Sequence, residues 1–535
     1  MRHSVRVMLG LGLALGVAGC SDYLSGPGVS TDPNNILTLG RPGPLYVGIQ
    51  VALSPEREGQ VARDAALYMQ QIAGIQRQHL SFDRYLTTPA DLDPPFGAVY
   101  GSSAAITGGG GLLDIHNMLQ ISRHKNDSLY LGIGKVYEAL VMGFAADIWG
   151  DIPYREAADS NNLSPHFDPQ LQIYGDLQKQ LDSAVTFLAA SGPTSGKGPP
   201  LDQSELIYAG RNAAGLRAVY TAVANSLKAR LYLHVAKASV AGVSGAPPAA
   251  YDSAAKYAAL GISDPSDDFL LYSDATATNN NIWWQFNSSR FGDIGPGAAV
   301  IEILKRRIAA GVEDEQRLNF YFVPLTGTTP SDFFGYRPAA TQNLATTGGI
   351  YNGTAPGGNY AGFGAAFDGG SGNGDFRQPE LTYAETQLIW AEAAFQTGDA
   401  ATAQIHLDNA RKSRQYGSIG GAPVSFGDAP GALPATLQNI IEEKYVTLFL
   451  NPEVWNDWKR TCLPSLAPTP APGTTVPGPG PIPGRLPYGL TEVNANTNLP
   501  STSSAGVPIT SVSLNANQPA ACAALNYTSS SPLAN

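Results

Sequence analysis

The stretch LYLGIGKVYEALVMGFAADIWGDIP at 129–153 decides the fold. Leu129, Ile133, Val136, Val141, Phe144 and Ala145 recur at helical spacing, with glycine and alanine between them. So broad an apolar surface predicts a helix enclosed by its neighbours, and the small residues let those neighbours approach closely. GDIP marks its end: Gly150 can take a helix-terminating conformation and Pro153 discourages continuation. A chain built around such a helix is mainly α.

Outward from this segment the helical pattern recurs. DPQLQIYGDLQKQLDSAVTFLAA (168–190) is amphipathic, with Asp168 expected as its cap and Pro169 in its first turn. LRAVYTAVANSLKARLYLHVAKA (216–238) and YDSAAKYAALG (251–261) continue it. Upstream, Val61, Ala65, Tyr68, Met69 and Ile72 share one helical face, a loop rich in Pro and Gly follows, and Leu112, Ile115 and Leu119 resume the spacing within 112–124. LTYAETQLIWAEAAFQTG (381–398) and AATAQIHLDNARKSRQYG (400–417) form a helical hairpin about Gly398–Asp399, tetratricopeptide-like in period. Further helices are expected over 437–450 and 454–461. The Pro/Gly-rich 464–483 stretch reads as a surface loop, and the last fifty residues as a segment wrapping the body.

The ends and the composition place the chain. Arg2 and Arg6 precede an apolar run from Val7 to Val17, too short to span a bilayer, and Ala18–Gly19 lead into Cys20. This reads as a lipoprotein signal peptide over 1–19. Cys20 is then the acylation site of a mature chain, tethered through 20–48 to a single domain over 49–535. Acyl chains hold a protein at a bilayer by about 0.8 kcal/mol per buried CH₂. No later segment is expected to cross a membrane. Of three cysteines, Cys462 and Cys522 remain, and an oxidising compartment would let them pair. The 33 basic and 44 acidic residues give a formal charge of -11, which argues against nucleic acid as a partner.

Catalytic patterns are missing from the sequence. There is no G-x-S-x-G elbow and no H-E-x-x-H, and the seven histidines fall singly. Asp147 with Asp151, and Glu442 with Glu443, read as structural acids. The GGGG at 108–111 lacks the Lys-Ser/Thr of a phosphate loop and reads as a turn. Between about 262 and 375 the character changes to polar turns, glycines and scattered aromatics, interrupted by one helix at 301–311. Sugar binding needs flat rings for the pyranose face and amide, carboxylate or guanidinium groups for hydroxyls. NNNIWWQFNSSR (279–290) contains these types, so Trp283, Trp284, Asn281, Gln285 and Arg290 are ligand candidates, with Tyr272, Tyr351 and Tyr360 in comparable loops. In an extended segment Trp283 and Trp284 would point oppositely, one inward and one outward. DGGSGNGD (368–375) offers Asp368 and Asp375 as weak calcium ligands, without the spacing of an EF-hand loop.

Taken in order, several stretches resemble the SusD/RagB family of outer-membrane nutrient-binding lipoproteins, in its group described as starch-binding and associating with the outer membrane. They are the lipobox ending at Cys20, FAADIWGDIPYREA (144–157), FDPQLQIYGDLQKQLDSA (167–184), ANSLKARLYLHVA (224–236), DEQRLNFYF (314–322), LTYAETQLIWAEAAFQTGD (381–399), IIEEKYVTLFL with VWNDWKR (440–460) and GRLPYGLTEVNAN (484–496). The resemblance implies a SusD-like α-superhelical scaffold of tetratricopeptide-like hairpins with long irregular loops. It also implies a non-catalytic receptor that captures oligosaccharides, or peptides, at the cell surface and passes them to a TonB-dependent SusC-like transporter. Calcium is an optional ligand in such proteins. The rivals are a surface glycosidase, which lacks a residue set, and a lipoprotein whose helical scaffold only binds other envelope proteins.

Overall fold

The computed structural model describes residues 40–502 apart from 102–108, 160, 191–202, 277, 325–326, 337, 339–359, 369–372, 428–430 and 467–481. Cys20, Tyr351 and Cys522 lie outside the described residues, as do most of the Pro/Gly-rich loop and the C-terminal segment.

The first departure from the sequence reading comes at the start. Helix α1 (Gly43–Glu58) begins inside the stretch assigned to the tether, and Leu45, Tyr46, Ile49 and Leu53 bury its inner face. It meets α2 (Gln60–Tyr68) at Gly59, where a Cβ would stand 2.1 Å from the Pro55 carbonyl oxygen. Only glycine fits there, and its backbone (φ -83°, ψ -147°) is not helical, so the helix starts at Gln60, ends at Tyr68, and the chain passes into strand β1 (Ile72–Gly74). The expected Pro/Gly loop is also helical, as α3 (Arg77–Phe82) and α4 (Pro89–Tyr100). Thr88 and Asp91 close a capping box on α4, and Pro89 sits in its first turn, where no amide is needed.

Next come α5 (Leu112–His124) and α6 (Ser128–Trp149), the latter buried from Leu129 to Trp149. By length and hydropathy α6 could cross a membrane, which corrects the expectation that no later segment could; its complete burial makes it the central core helix instead. Asp127 Oδ1 accepts from the amides of Leu129 (3.1 Å) and Tyr130 (3.2 Å) to start it, and Gly150, at φ 83°, ends it. Strands β2 (Ile152–Pro153) and β3 (Phe167–Asp168) pair before α7 (Gln170–Ala189). Asp168 does not cap α7. Its carboxylate accepts from the amides of Tyr154 and Arg155, while Asp151 Oδ1 takes the Gln170 amide at 2.9 Å. The structural reading of Asp151 therefore holds, in the capping role expected of Asp168.

Glycines set the packing of α6. A Cβ on Gly132 would stand 2.5 Å from Leu188 Cγ on α7, and one on Gly134 2.7 Å from Met118 Cε on α5. We expect Gly132→Val to lower stability by about 1–3 kcal/mol through overpacking. Urea unfolding measures this, and an unchanged midpoint would show that the α6–α7 contact can spread without cost.

The scaffold continues with α8 (Ala213–His234), α9 (Ala236–Val240) and α10 (Ala250–Ala258). The loop-rich region then supplies β4 (Phe269–Leu270), α11 (Ile282–Ser289), β5 (Ile294–Pro296), α12 (Ala298–Ala309), α13 (Gln316–Tyr321), β6 (Phe322–Val323), β7 (Gly362–Phe363) and β8 (Pro379–Leu381). Thus α12 is not the only helix here. The last part holds the hairpin α14 (Tyr383–Gln396) and α15 (Ala400–Ser413), strands β9 (Gln415–Ile419) and β10 (Ala422–Ser425), α16 (Leu437–Thr447), α17 (Glu453–Thr461) and α18 (Leu490–Ala495). Asp399 Oδ1 accepts from the Thr402 amide at the hairpin turn. The strands form antiparallel pairs only, β1–β5, β2–β3, β4–β8, β6–β7 and β9–β10 among the described residues. The architecture is a mainly α superhelical scaffold of repeated hairpins bearing long loops.

Buried ions tie its distant helices together. Glu443 of α16 meets Arg307 of α12 (2.6 Å), Arg317 of α13 (2.9 Å) and Arg411 of α15 (3.5 Å). Glu442, buried like Glu443, pairs with Arg306 at 2.6 Å, so both acids are structural and salt-bridged as expected. On the other side, His234 of α8 lies between Asp147 of α6 and Glu453 of α17. Cys462, at the end of α17, is disulfide-bonded, its partner lying outside the described residues. Leu466 and Ile482 are core residues.

Candidate functional site

The loop-rich region builds a cleft on the β1–β5 pair. Ile72 stands opposite Pro296 and Gly74 opposite Ile294, and the Ile75 amide donates to the Asp293 carbonyl at 2.9 Å. Tyr336 is drawn against β5: its amide donates to the Pro296 carbonyl (2.8 Å), and its own carbonyl accepts from the Ala298 amide (2.9 Å). This requires glycine at 295, where a Cβ would stand 2.5 Å from the Tyr336 ring. Tyr360 then stacks on Tyr336, ring centroids 4.0 Å apart and planes 10° apart. Together with Ala73 and Ile75 these rings form a small apolar cluster separate from the main core.

The cleft has a volume of about 150 Å³ and is lined by Ile75, Asn287, Phe291, Tyr336, Tyr360 and Asp368, among others. Phe291 stands at its rim, 71% exposed. Burying such a side chain is worth about 1.5–3 kcal/mol, so a solvated phenyl ring beside an aromatic cleft is a binding feature in waiting. Asn287 is fixed below by donating to the Phe367 carbonyl at 2.6 Å. Beneath the rim, Asp293 is fully buried with Arg77 Nη1 at 3.1 Å. His79, 3.8 Å from Asp293, has its pKa lowered to about 3 by burial, then by Arg63 and Arg290, so it is neutral there.

Of the candidates from sequence, Tyr360 and Asp368 line this cleft and Arg290 precedes Phe291 at its rim. The others lie elsewhere. Residues 282–289 form a helix, not an extended segment, because Asn281 Oδ1 accepts from the Trp284 amide (3.1 Å) and Glu58 Oε2 from the Ile282 amide (2.8 Å). Trp283 is wholly buried in the core and has no face to offer a ligand; Trp284 is half-buried. Asn281 is also buried, donating to Glu58 Oε1 at 3.0 Å, and Gln285 donates to the Asn280 carbonyl at 2.6 Å. These two hold the helix in place. Tyr272 donates to Asp274 at 2.7 Å and lies under Arg377, whose guanidinium is 4.9 Å from its ring centre. Phe291, Tyr336 and Asn287 were not foreseen; the NNNIWWQFNSSR window stops one residue short of Phe291.

Among the described residues, neither Asp368 nor Asp375 belongs to a group of three potential metal ligands. Asp147, His234 and Glu453 form such a group, yet its chemistry fits a proton better. Glu453 Oε1 lies 2.6 Å from His234 Nε2, and Asp147 Oδ1, 2.9 Å from Nδ1 but off the hydrogen-bond direction, accepts from Tyr174 at 2.5 Å. Arg230 stands 4.0 Å from Glu453, and Lys459 donates to the Asp147 carbonyl at 2.6 Å. A metal ion would face these cations; an imidazolium already bridges the acids.

The molecule is a helical scaffold that carries an aromatic cleft on its loops. The family model described as SusD-like, starch-binding associating with outer membrane, matches residues 45–489, and the chain belongs to that family. It is accordingly a non-catalytic nutrient-binding protein of the outer membrane. Solved structures share the fold. A chitin-binding protein has a TM-score of 0.63 at 20% identity, covering 86% of this chain and 95% of that one. A chitin-binding SusD homologue from Flavobacterium johnsoniae gives 0.59 at 19%, covering 86% and 94%. A SusD homologue from Bacteroides fragilis gives 0.62 at 17%, covering 89% and 100%. No curated protein sequence matches the chain significantly.

Proposed function

We propose that the protein captures an oligosaccharide in the Phe291–Tyr336–Tyr360 cleft and delivers it to a TonB-dependent SusC-like transporter, held at the cell surface by acyl chains on Cys20. The exposed Phe291 ring beside the cleft carries this reading, because a pyranose offers an apolar face to such a ring while Asn287 and Asp368 in the cleft lining can meet hydroxyls. Two proteins of similar fold are described as chitin-binding, which makes chito-oligosaccharides the first probe. The transporter and the anchor are supported by family membership and by the signal-like start of the chain.

Calorimetric titration of chito-oligosaccharides tests the cleft. Phe291→Ala is expected to weaken binding about tenfold, the equivalent of about 1.4 kcal/mol. Trp284→Ala, a change outside the cleft, is expected to have a smaller effect. Unchanged affinity in Phe291→Ala would remove the platform from this cleft. Binding of a peptide pool with no glycan binding would identify the ligand as peptide. Detergent pull-down with mass spectrometry reads the transporter and the Cys20 modification together.

A further inference from the structure

Cations gather at the start of the body, around Gly40. Arg41 follows that glycine, Arg123 and His124 stand in the last turn of α5, and Lys125 caps the helix. A Cβ on Gly40 would be 4.0 Å from Lys125 Nζ, so the two segments meet here. All four side chains are exposed, and among the described residues none of them has a hydrogen-bond or ion-pair partner. The acids closest to α5 in the chain are turned away from the cluster. Asp127 is 1% exposed and accepts from the Leu129 and Tyr130 amides, and Glu138 is 4% exposed and accepts from the Tyr154 hydroxyl at 2.7 Å. Asp114 holds the Gly110 amide at the far end of α5. The excess charge is felt inside as well: burial lowers the Lys135 pKa against the pull of Glu138, and Arg123 lowers it further.

A helix dipole favours cations in its last turn, which suits Arg123 and Lys125, but Arg41 comes to the same place from another segment. The rest of the molecule has the opposite sign. The formal charge of -11 includes Arg2 and Arg6, so a chain without its first 19 residues is more acidic still. An anionic bilayer therefore repels the molecule as a whole and attracts it at this end. Cys20 lies about 20 residues before Gly40, a stretch that spans at most about 70 Å, so an acyl anchor there keeps the bilayer within that reach of the cluster. We propose that Arg41, Arg123 and Lys125 dock this end of the body on the anionic headgroups of the membrane that holds the anchor. The choice of partner rests on the Cys20 anchor proposed above. A tether alone leaves the body free to turn, whereas this contact fixes which end lies against the bilayer.

Vesicle co-sedimentation of residues 21–535, which keep every described residue and carry no acyl group, tests the contact apart from the anchor. The probes are vesicles of phosphatidylcholine, with and without phosphatidylglycerol. Binding is expected only where phosphatidylglycerol is present, and it should fall as added salt shortens the Debye length from about 30 Å at 0.01 M to about 10 Å at 0.1 M. Arg41→Gln, Arg123→Gln and Lys125→Gln should each weaken it about fivefold, the value of one cation at an anionic surface. Lys412→Gln, which removes an exposed cation from α15, should leave it unchanged. Equal binding to both kinds of vesicle, no binding to either, or an equal loss in Lys412→Gln would each overturn the proposal. The state of Cys20 is read separately by the mass spectrometry above, so the anchor and this contact fail independently.

Discussion

Glu443→Gln is expected to cost about 3–5 kcal/mol of unfolding free energy, since breaking a buried ion pair from one side leaves the partner charges uncompensated. Burial by itself would raise the Glu443 pKa, but Arg317, Arg307 and Arg411 hold it at about 2. Glutamine preserves the shape while removing the charge that three guanidiniums face, and it puts an NH₂ donor where one carboxylate oxygen accepted from Arg307 or Arg317, so the loss is electrostatic and of one hydrogen bond, not of packing. The four residues come from α12, α13, α15 and α16, so the loss should cross the whole C-terminal half and appear as a lower urea midpoint. The sign of the pH dependence follows from the depressed value. This stabilisation is present above an unfolded carboxylate pKa of about 4.3 and is lost as pH falls toward 2. A cost below about 1 kcal/mol would mean that Glu313 and Glu442 suffice for the arginines.

His234→Gln is expected to have the second largest effect, with the opposite pH sense. Burial favours the neutral ring, but Asp147 and Glu453 outweigh it and raise the His234 pKa to about 9. The unfolded value is about 6.5, and a gap of about 2.5 units at 1.36 kcal/mol each is about 3 kcal/mol. A raised pKa gives stability that is complete below about pH 6.5 and fades as pH rises through about 9. Lys459, next to the triad, has its pKa lowered to about 7 by burial despite Asp147 and Glu453, and so pulls the other way over part of this range. It is present in both proteins, so the measured quantity is the difference between wild type and His234→Gln in urea unfolding from pH 6 to 9.5. That difference should shrink steadily; a constant difference would mean that the ring is neutral and packs as any isostere would.

How much of this was legible in the sequence depended on how local each cause was. The 129–153 helix and its Gly150 terminus were readable because spacing and stop lie within one segment. So was the hairpin over 383–413, whose turn and cap are adjacent in the chain. Helices α1 and α4 were missed because prolines 55, 94 and 95 lie inside them, and proline in sequence argues for a break. Tertiary burial overrode that preference.

The cleft was harder to read than the scaffold. Adjacent tryptophans suggested a platform, yet Glu58, from α1, clamps the start of α11 and turns Trp283 into the core. Phe291 alone in a polar turn carries no local signal. It becomes informative only when Tyr336 and Tyr360 arrive from distant loops, just as His234 becomes an ion only when Asp147 and Glu453 join it.

The small apolar cluster under the cleft also bears on how the molecule tolerates change. Because Ala73, Ile75, Tyr336 and Tyr360 pack among themselves and outside the main core, substitutions there leave the packing of the central helices untouched. The rings under the cleft are mechanically insulated from the frame that carries them.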